Sequence, residues 1–196
     1  MTRISSRNEV VCALDIDGVL NVVPQIEDVG LNGPFLDYEY YPEKSGYSKH
    51  LHRRDHPQML GYLLSHTDLY WCTAHRDAAN QTGRALGMPA ISRIVEISDK
   101  GPHGEPVDVG QLVDDRWTKD YQNRHFIFGQ RLFTLQRKFR GQPLLWIDDD
   151  IDTEVALDWT AWRTSNEAPT KVICVNNDTG LMPADMGQIH DWLERI

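Results

Sequence analysis

Val10-Val11-Cys12-Ala13-Leu14-Asp15-Ile16-Asp17-Gly18-Val19-Leu20-Asn21 is the stretch whose reading decides the fold. Val10 to Leu14 is a short apolar run, consistent with a strand buried on both faces. Two aspartates follow at once, with Gly18 behind them. A carboxylate just past a strand end is fixed in place and faces the crevice where open α/β sheets bind ligands. Asp and Gly are also common turn residues. The stretch alone therefore supports both a turn and a reaction centre, and the rest of the chain has to separate them.

Working outward, the pattern repeats. Leu69 to Cys72 reads as a second buried strand, and Thr73 follows it. Ile94 to Ile97 is a third strand candidate. Leu144 to Ile147 is a fourth strand and runs into Asp148-Asp149-Asp150. Lys171 to Val175 is a fifth. Helical patterns lie between them. Asp55 is placed to cap a helix beginning near Pro57, with Met59, Leu60, Leu63 and Leu64 as its apolar stripe. Arg76 to Leu86 reads as a helix stopped by Gly87 and Pro89. Further helices are expected over Phe128 to Phe139, Thr153 to Arg163 and Met186 to Ile196. Strands alternating with helices predict crossover units and a mainly parallel sheet, hence an α/β fold. The polar clusters fall at the carboxyl ends of three strands, where such sheets bind ligands.

The chain has 196 residues, which suits a single domain over 1–196. Two stretches, about 22–50 and 98–124, have no clear period and read as insertions; the first looks like a loop or hairpin. Net charge is −9, which argues against general nucleic-acid binding. No apolar run approaches membrane-helix length, and the first ten residues lack a secretory h-region, so a cytoplasmic protein is expected. Cys12, Cys72 and Cys174 sit in apolar runs without metal-ligand spacing and read as buried thiols.

Two carboxylates at one strand end, joined by acids from another, can hold Mg²⁺ through hard oxygen ligands. One aspartate can attack phosphorus, and the second can protonate the leaving oxygen and later activate water. Adjacent like charges at Asp148-Asp149 fit a bound cation, or an exposed acidic loop with Asp150 as a helix cap. Thr73 fits a phosphate contact or an ordinary cap. Arg76 fits a phosphate clamp or an exposed helix-start arginine.

Asp15-Ile16-Asp17-Gly18-Val19-Leu20-Asn21 resembles the first motif of the haloacid dehalogenase (HAD) superfamily. Tyr70-Trp71-Cys72-Thr73-Ala74 resembles the second, and Leu144-Leu145-Trp146-Ile147-Asp148-Asp149 the fourth. The resemblance covers roughly 10–100 and 126–196, and is nearest to compact bacterial and phage domains, some grouped with predicted RNA-repair proteins. It implies a Rossmann-like three-layer sandwich with a small cap or none. It makes Asp15 the nucleophile and Asp17 the general acid/base. It assigns Mg²⁺ to Asp15, to Asp17 through its backbone carbonyl, and to Asp148 and Asp149, and phosphate contacts to Gly18, Thr73, Ala74 and Arg76. Val19 stands where phosphatases of the family commonly have Thr. The third motif needs a lysine on the helix before the fourth-motif strand; Lys138 fits by position, with Arg137, Arg140 and Lys119 as rivals.

Three functions follow as expectations. The first is a Mg²⁺-dependent phosphatase acting on a small phosphate monoester or nucleotide. The second is a polynucleotide end-phosphatase, for which Arg53, Arg54, Arg76, Arg84 and the run from Arg131 to Arg140 would supply a local basic track. The third is a metal-binding or regulatory domain without turnover. Tyr38, Tyr40, Tyr41 and Tyr47 either stack on a base or pack a loop over the core.

Overall fold

The strand anticipated at the head of the chain is β1, Val11–Leu14, and all four of its side chains are buried. The computed structural model describes residues 10–22, 37–40, 51–73, 79–95, 126–151 and 153–196. In chain order β1 is followed by β2 (Tyr38–Tyr40), β3 (Leu51–Arg53), α1 (His56–His66), β4 (Asp68–Trp71) and α2 (Ala79–Ala85). Then come α3 (Phe126–Lys138), β5 (Leu144–Asp148), α4 (Thr153–Asn166), β6 (Thr170–Cys174) and α5 (Pro183–Leu193). Among the described residues no helix is long and apolar enough to cross a membrane.

Four strands form a parallel sheet in the order β4-β1-β5-β6. Val11 lies opposite Asp68 on one side and Leu144 on the other. Alternation along the strands divides the core in two. Cys12, Leu14, Leu69, Trp71, Leu145 and Ile147 pack against Met59, Leu60 and Leu63 of α1 and Ile189 of α5. Val11, Ala13, Leu144 and Trp146 pack against Leu132 and Leu135 of α3 and Val155 and Trp159 of α4. Both faces are covered, which explains why β1 and β5 are continuous apolar runs rather than alternating ones. The arrangement is α/β and compatible with a Rossmann-like fold.

The order of the strands positions the site. From β1 the chain moves outward to β4, then returns past β1 to β5 and β6. The direction of winding reverses between β1 and β5, and at such a switch point the loops part and leave a crevice at the carboxyl ends. Asp15 follows β1 and Asp148 ends β5.

Several expectations need adjustment. Within 22–50, β2 pairs antiparallel with β3 and Val22 bridges Leu51, so the insertion contains a hairpin; residues 23–36 and 41–50, with Tyr41 and Tyr47, lie outside the described residues. Tyr38 packs instead of stacking on a ligand: it is buried and its hydroxyl donates to the Thr179 carbonyl at 2.6 Å. Asp55 occupies the N-cap position of α1, but its side chain makes no cap bond. Both its oxygens are taken by Arg53, at 2.9 and 2.8 Å, a charge-assisted pair stronger than a neutral cap. Ile94 forms one bridge to Trp71, and no strand is seen there among the described residues; the stretch beyond Val95, including 98–124, lies outside them. The closing helix starts at Pro183, three residues before the first periodic apolar position.

Candidate functional site

Asp15 directly follows β1 at the carboxyl end of the sheet and is buried there. Its Oδ1 accepts the Ile16 N–H at 2.8 Å, and the Thr73 hydroxyl, from the end of β4, donates to the same carboxylate. The chain then turns tightly. Leu20 and Asn21 both donate to the Ile16 carbonyl, at 2.8 and 2.9 Å, and Gly18 donates to the Asn21 carbonyl at 3.0 Å. This turn puts Gly18 at φ +66°, in the left-handed region that favours glycine. A Cβ there would also lie 2.1 Å from Oδ2 of Asp149, so the absence of a side chain is what admits that carboxylate.

Asp148, fully buried, receives a guanidinium. Nη1 of Arg131, reaching from α3, lies 2.7 Å from Asp15 Oδ2 and 2.7 and 2.6 Å from the two oxygens of Asp148. The Trp146 indole N–H donates to Asp148 Oδ2 at 3.1 Å, and the Asp150 N–H donates to Oδ1 at 3.0 Å. Asp149 is half-buried beside them. Ligand oxygens of Asp15, Asp148 and Asp149 all lie within 4.8 Å of one another.

The electrostatics follow from this crowding. Burial, then the charge of Asp148, pushes the Asp15 carboxyl up to about 7, against the opposing pull of Arg131, Ile16 and Thr73. Burial and Asp148 likewise push Asp149 up to about 6. Asp148 is raised by burial, opposed by Arg131 and its hydrogen-bond donors. Burial disfavours the charge on Arg131, but Asp148 and Asp15 outweigh it and hold the guanidinium above its ordinary value. Among the described residues, three carboxylates face the Arg131 guanidinium. The donor set is hard oxygen with uncompensated negative charge, which fits a hard dication such as Mg²⁺ and is not specific to it.

The expected residues separate into groups. Asp15, Thr73, Asp148, Asp149 and Gly18 are brought together. Asp17 is not in the carboxylate cluster: its side chain is exposed at the rim and accepts from the Asn21 amide at 3.1 Å. Ala74 and Arg76 lie outside the described residues. Lys138 is not brought to the carboxylates; its ammonium is exposed, donates to the Ile94 carbonyl at 3.1 Å and stands over the Tyr70 ring. Arg131 takes the place expected for it. Seven residues are about two turns, so the two cations share a face of α3 but stand about 10 Å apart along its axis. A helix returning to a parallel strand begins at the carboxyl end of the sheet, and so the cation near its N-terminus reaches the site. That rule was available from the sequence and points to Arg131. Nothing in the sequence marks Trp146, which reads as one more apolar strand residue. Arg53 and Arg131, both expected in a basic track, are instead buried in ion pairs.

Comparison with protein-family models, with curated proteins and with solved structures finds no match.

Proposed function

We propose that the protein is a metal-dependent phosphohydrolase acting on a phosphate monoester, in keeping with the resemblance to the HAD superfamily. The observation that carries this reading is the convergence of Asp15, Asp148, Asp149 and Arg131 at the switch point, with Thr73 beside them. Mg²⁺, when bound to these oxygens, would offset negative charge on the transferring phosphoryl group.

The chain's own residues would divide the work. A carboxylate oxygen of Asp15 attacks phosphorus, the bond from phosphorus to the ester oxygen breaks, and Asp17 gives its proton to that oxygen as it leaves. Asp17, exposed and two residues along the turn, lies outside the carboxylate cluster and accepts from the Asn21 amide at 3.1 Å. In the second half it takes a proton from water, the water oxygen attacks phosphorus, and Asp15 and inorganic phosphate are released. Arg131 holds the Asp15 carboxylate in one orientation by its bond to Oδ2, and the Ile16 N–H holds the other oxygen.

The test is hydrolysis of an aryl phosphate with Mg²⁺, extended to nucleotides and to oligonucleotides phosphorylated at their ends. Asp15→Asn is expected to abolish release of phosphate; activity persisting in that variant refutes the nucleophile. Mg²⁺ binding without turnover on any of these substrates leaves a binding or regulatory domain.

A further inference from the structure

The loop 176–182, between β6 and α5, packs on the turn that carries Asp17. The Leu181 N–H donates to the Val19 carbonyl at 2.8 Å. Both residues are fully buried, so losing this bond would leave a buried donor and a buried acceptor unmade. The loop comes this close because of Gly180. That residue stands at φ +68°, and a Cβ there would lie 2.7 Å from the Val19 carbonyl oxygen and 2.9 Å from Cγ2 of Val22. One residue earlier, the Thr179 carbonyl accepts the Tyr38 hydroxyl at 2.6 Å, which ties the loop to the hairpin as well.

The other side of Leu181 is held by a histidine. His56 is the first residue of α1 and is fully buried. Its Nε2 lies 3.2 Å from the Leu181 carbonyl oxygen. A carbonyl only accepts, so Nε2 carries the proton and donates. Burial pushes the imidazole down to about 4, which keeps the ring neutral. Nδ1 is buried and has no partner among the described residues. A polar ring held in the core at that cost needs a reason, and the ring bond seen among the described residues is the one to Leu181. His56, Leu181 and Val19 thus form one hydrogen-bonded line from α1 to the turn. Val19 stands two residues after Asp17, inside the turn closed by the Ile16 and Asn21 carbonyls.

We propose that His56 is a positioning residue for Asp17, acting through Leu181 and Val19, with Gly180 admitting the contact. This rests on the phosphohydrolase reading above and adds to it the group that aims the general acid. Without the line the turn shifts, and the Asp17 proton is delivered away from the leaving oxygen. A misplacement of about 1 Å is enough to cost about 100-fold in rate. Such a loss falls unevenly on substrates. An alkoxide needs the proton in order to leave, whereas a nitrophenolate leaves without it.

The test is kcat/KM with Mg²⁺ on the full chain, for an alkyl phosphate and for nitrophenyl phosphate. This constant covers the steps up to phosphoryl transfer to Asp15, so it reads proton donation and not the later hydrolysis. His56→Leu removes the donor and is expected to lose about 10- to 100-fold on the alkyl ester and much less on the nitrophenyl ester. His56→Gln, whose amide N–H can reach the same carbonyl, is expected to recover most of the loss. A loss on the alkyl ester no larger than on the nitrophenyl ester overturns the proposal, because general damage to the fold lowers both alike. A Gln variant as impaired as the Leu variant overturns it too, since the ring then packs rather than donates. If His56→Leu does not fold, Gly180→Ala takes its place and is read on the same two esters. Its control is Gly87→Ala, at φ +75°, where a Cβ meets nothing within 4 Å. A wild-type chain that hydrolyses neither ester refutes the phosphohydrolase reading itself, and the positioning role falls with it. An active wild type whose variants lose both esters equally refutes the positioning role alone.

Discussion

Replacing Gly18 by alanine perturbs the site through two separable effects. The first is backbone strain: at φ +66° an L-residue costs about 1–2 kcal/mol relative to glycine. Alanine also narrows the unfolded ensemble, which favours any conformation it can adopt; this offsets the strain by about 0.4–1 kcal/mol at most. The second effect is local. The new Cβ would stand 2.1 Å from Asp149 Oδ2 and 2.2 Å from its Cγ, so the carboxylate must rotate out of the cluster. The control is Gly87→Ala. Gly87 has φ +75°, but a Cβ there meets nothing within 4 Å. Both variants should lose about 1 kcal/mol from the backbone, which for a chain this long is about 2–4 °C in melting temperature. Only Gly18→Ala should also lose metal response. Ligand binding stabilises the folded state by RT ln(1 + [L]/Kd), so thermal melts with EDTA and with excess Mg²⁺ read the affinity. Wild type and Gly87→Ala should show the same upward shift with Mg²⁺, and Gly18→Ala a smaller one. Equal Mg²⁺ shifts in all three proteins would refute the role given to the Gly18–Asp149 contact.

Arg131→Met leaves Asp15 and Asp148 buried together without their cation and should cost about 3–5 kcal/mol in denaturant unfolding. Lys138→Ala, at an exposed position on the same helix, should change stability by no more than about 0.5 kcal/mol and leave Mg²⁺ affinity unaltered. For pH the sign follows from carboxyl groups raised on folding. The folded chain holds a proton on Asp15 up to about 7 and on Asp149 up to about 6, whereas the unfolded chain releases both near 3.8. In EDTA their contribution to stability is therefore fully present below about pH 4 and is lost as pH rises towards 7. Mg²⁺ affinity should move oppositely, strengthening from pH 5 to 7 as the competing protons leave, a trend that calorimetry at several pH values would check.

The elements were legible because their signals are local. A run such as Leu144 to Ile147 and a stripe such as Met59, Leu60 and Leu63 are satisfied by a strand or a helix wherever they finally pack. Strand-end position was legible as well, since Asp15, Thr73 and Asp148 each stand directly after an apolar run. Cap chemistry was less so: Asp55 had the right type and place, but a guanidinium two residues away competed for it and won.

By itself, then, the sequence determined a parallel α/β sheet and delivered the acids to one end of it. The tertiary structure decided which groups meet there. Arg131 rather than Lys138 reaches Asp15 because α3 runs opposite to the strands, which sets its first turns at their carboxyl ends. Asp17 stands outside the cluster because the turn closed by Asn21 aims it to the rim. Trp146 became a donor to Asp148 because alternation along β5 puts residues two apart on one face of the sheet, and a buried indole N–H needs an acceptor. Pairings of this kind depend on helix direction, register and burial together, and no local stretch of sequence carries all three.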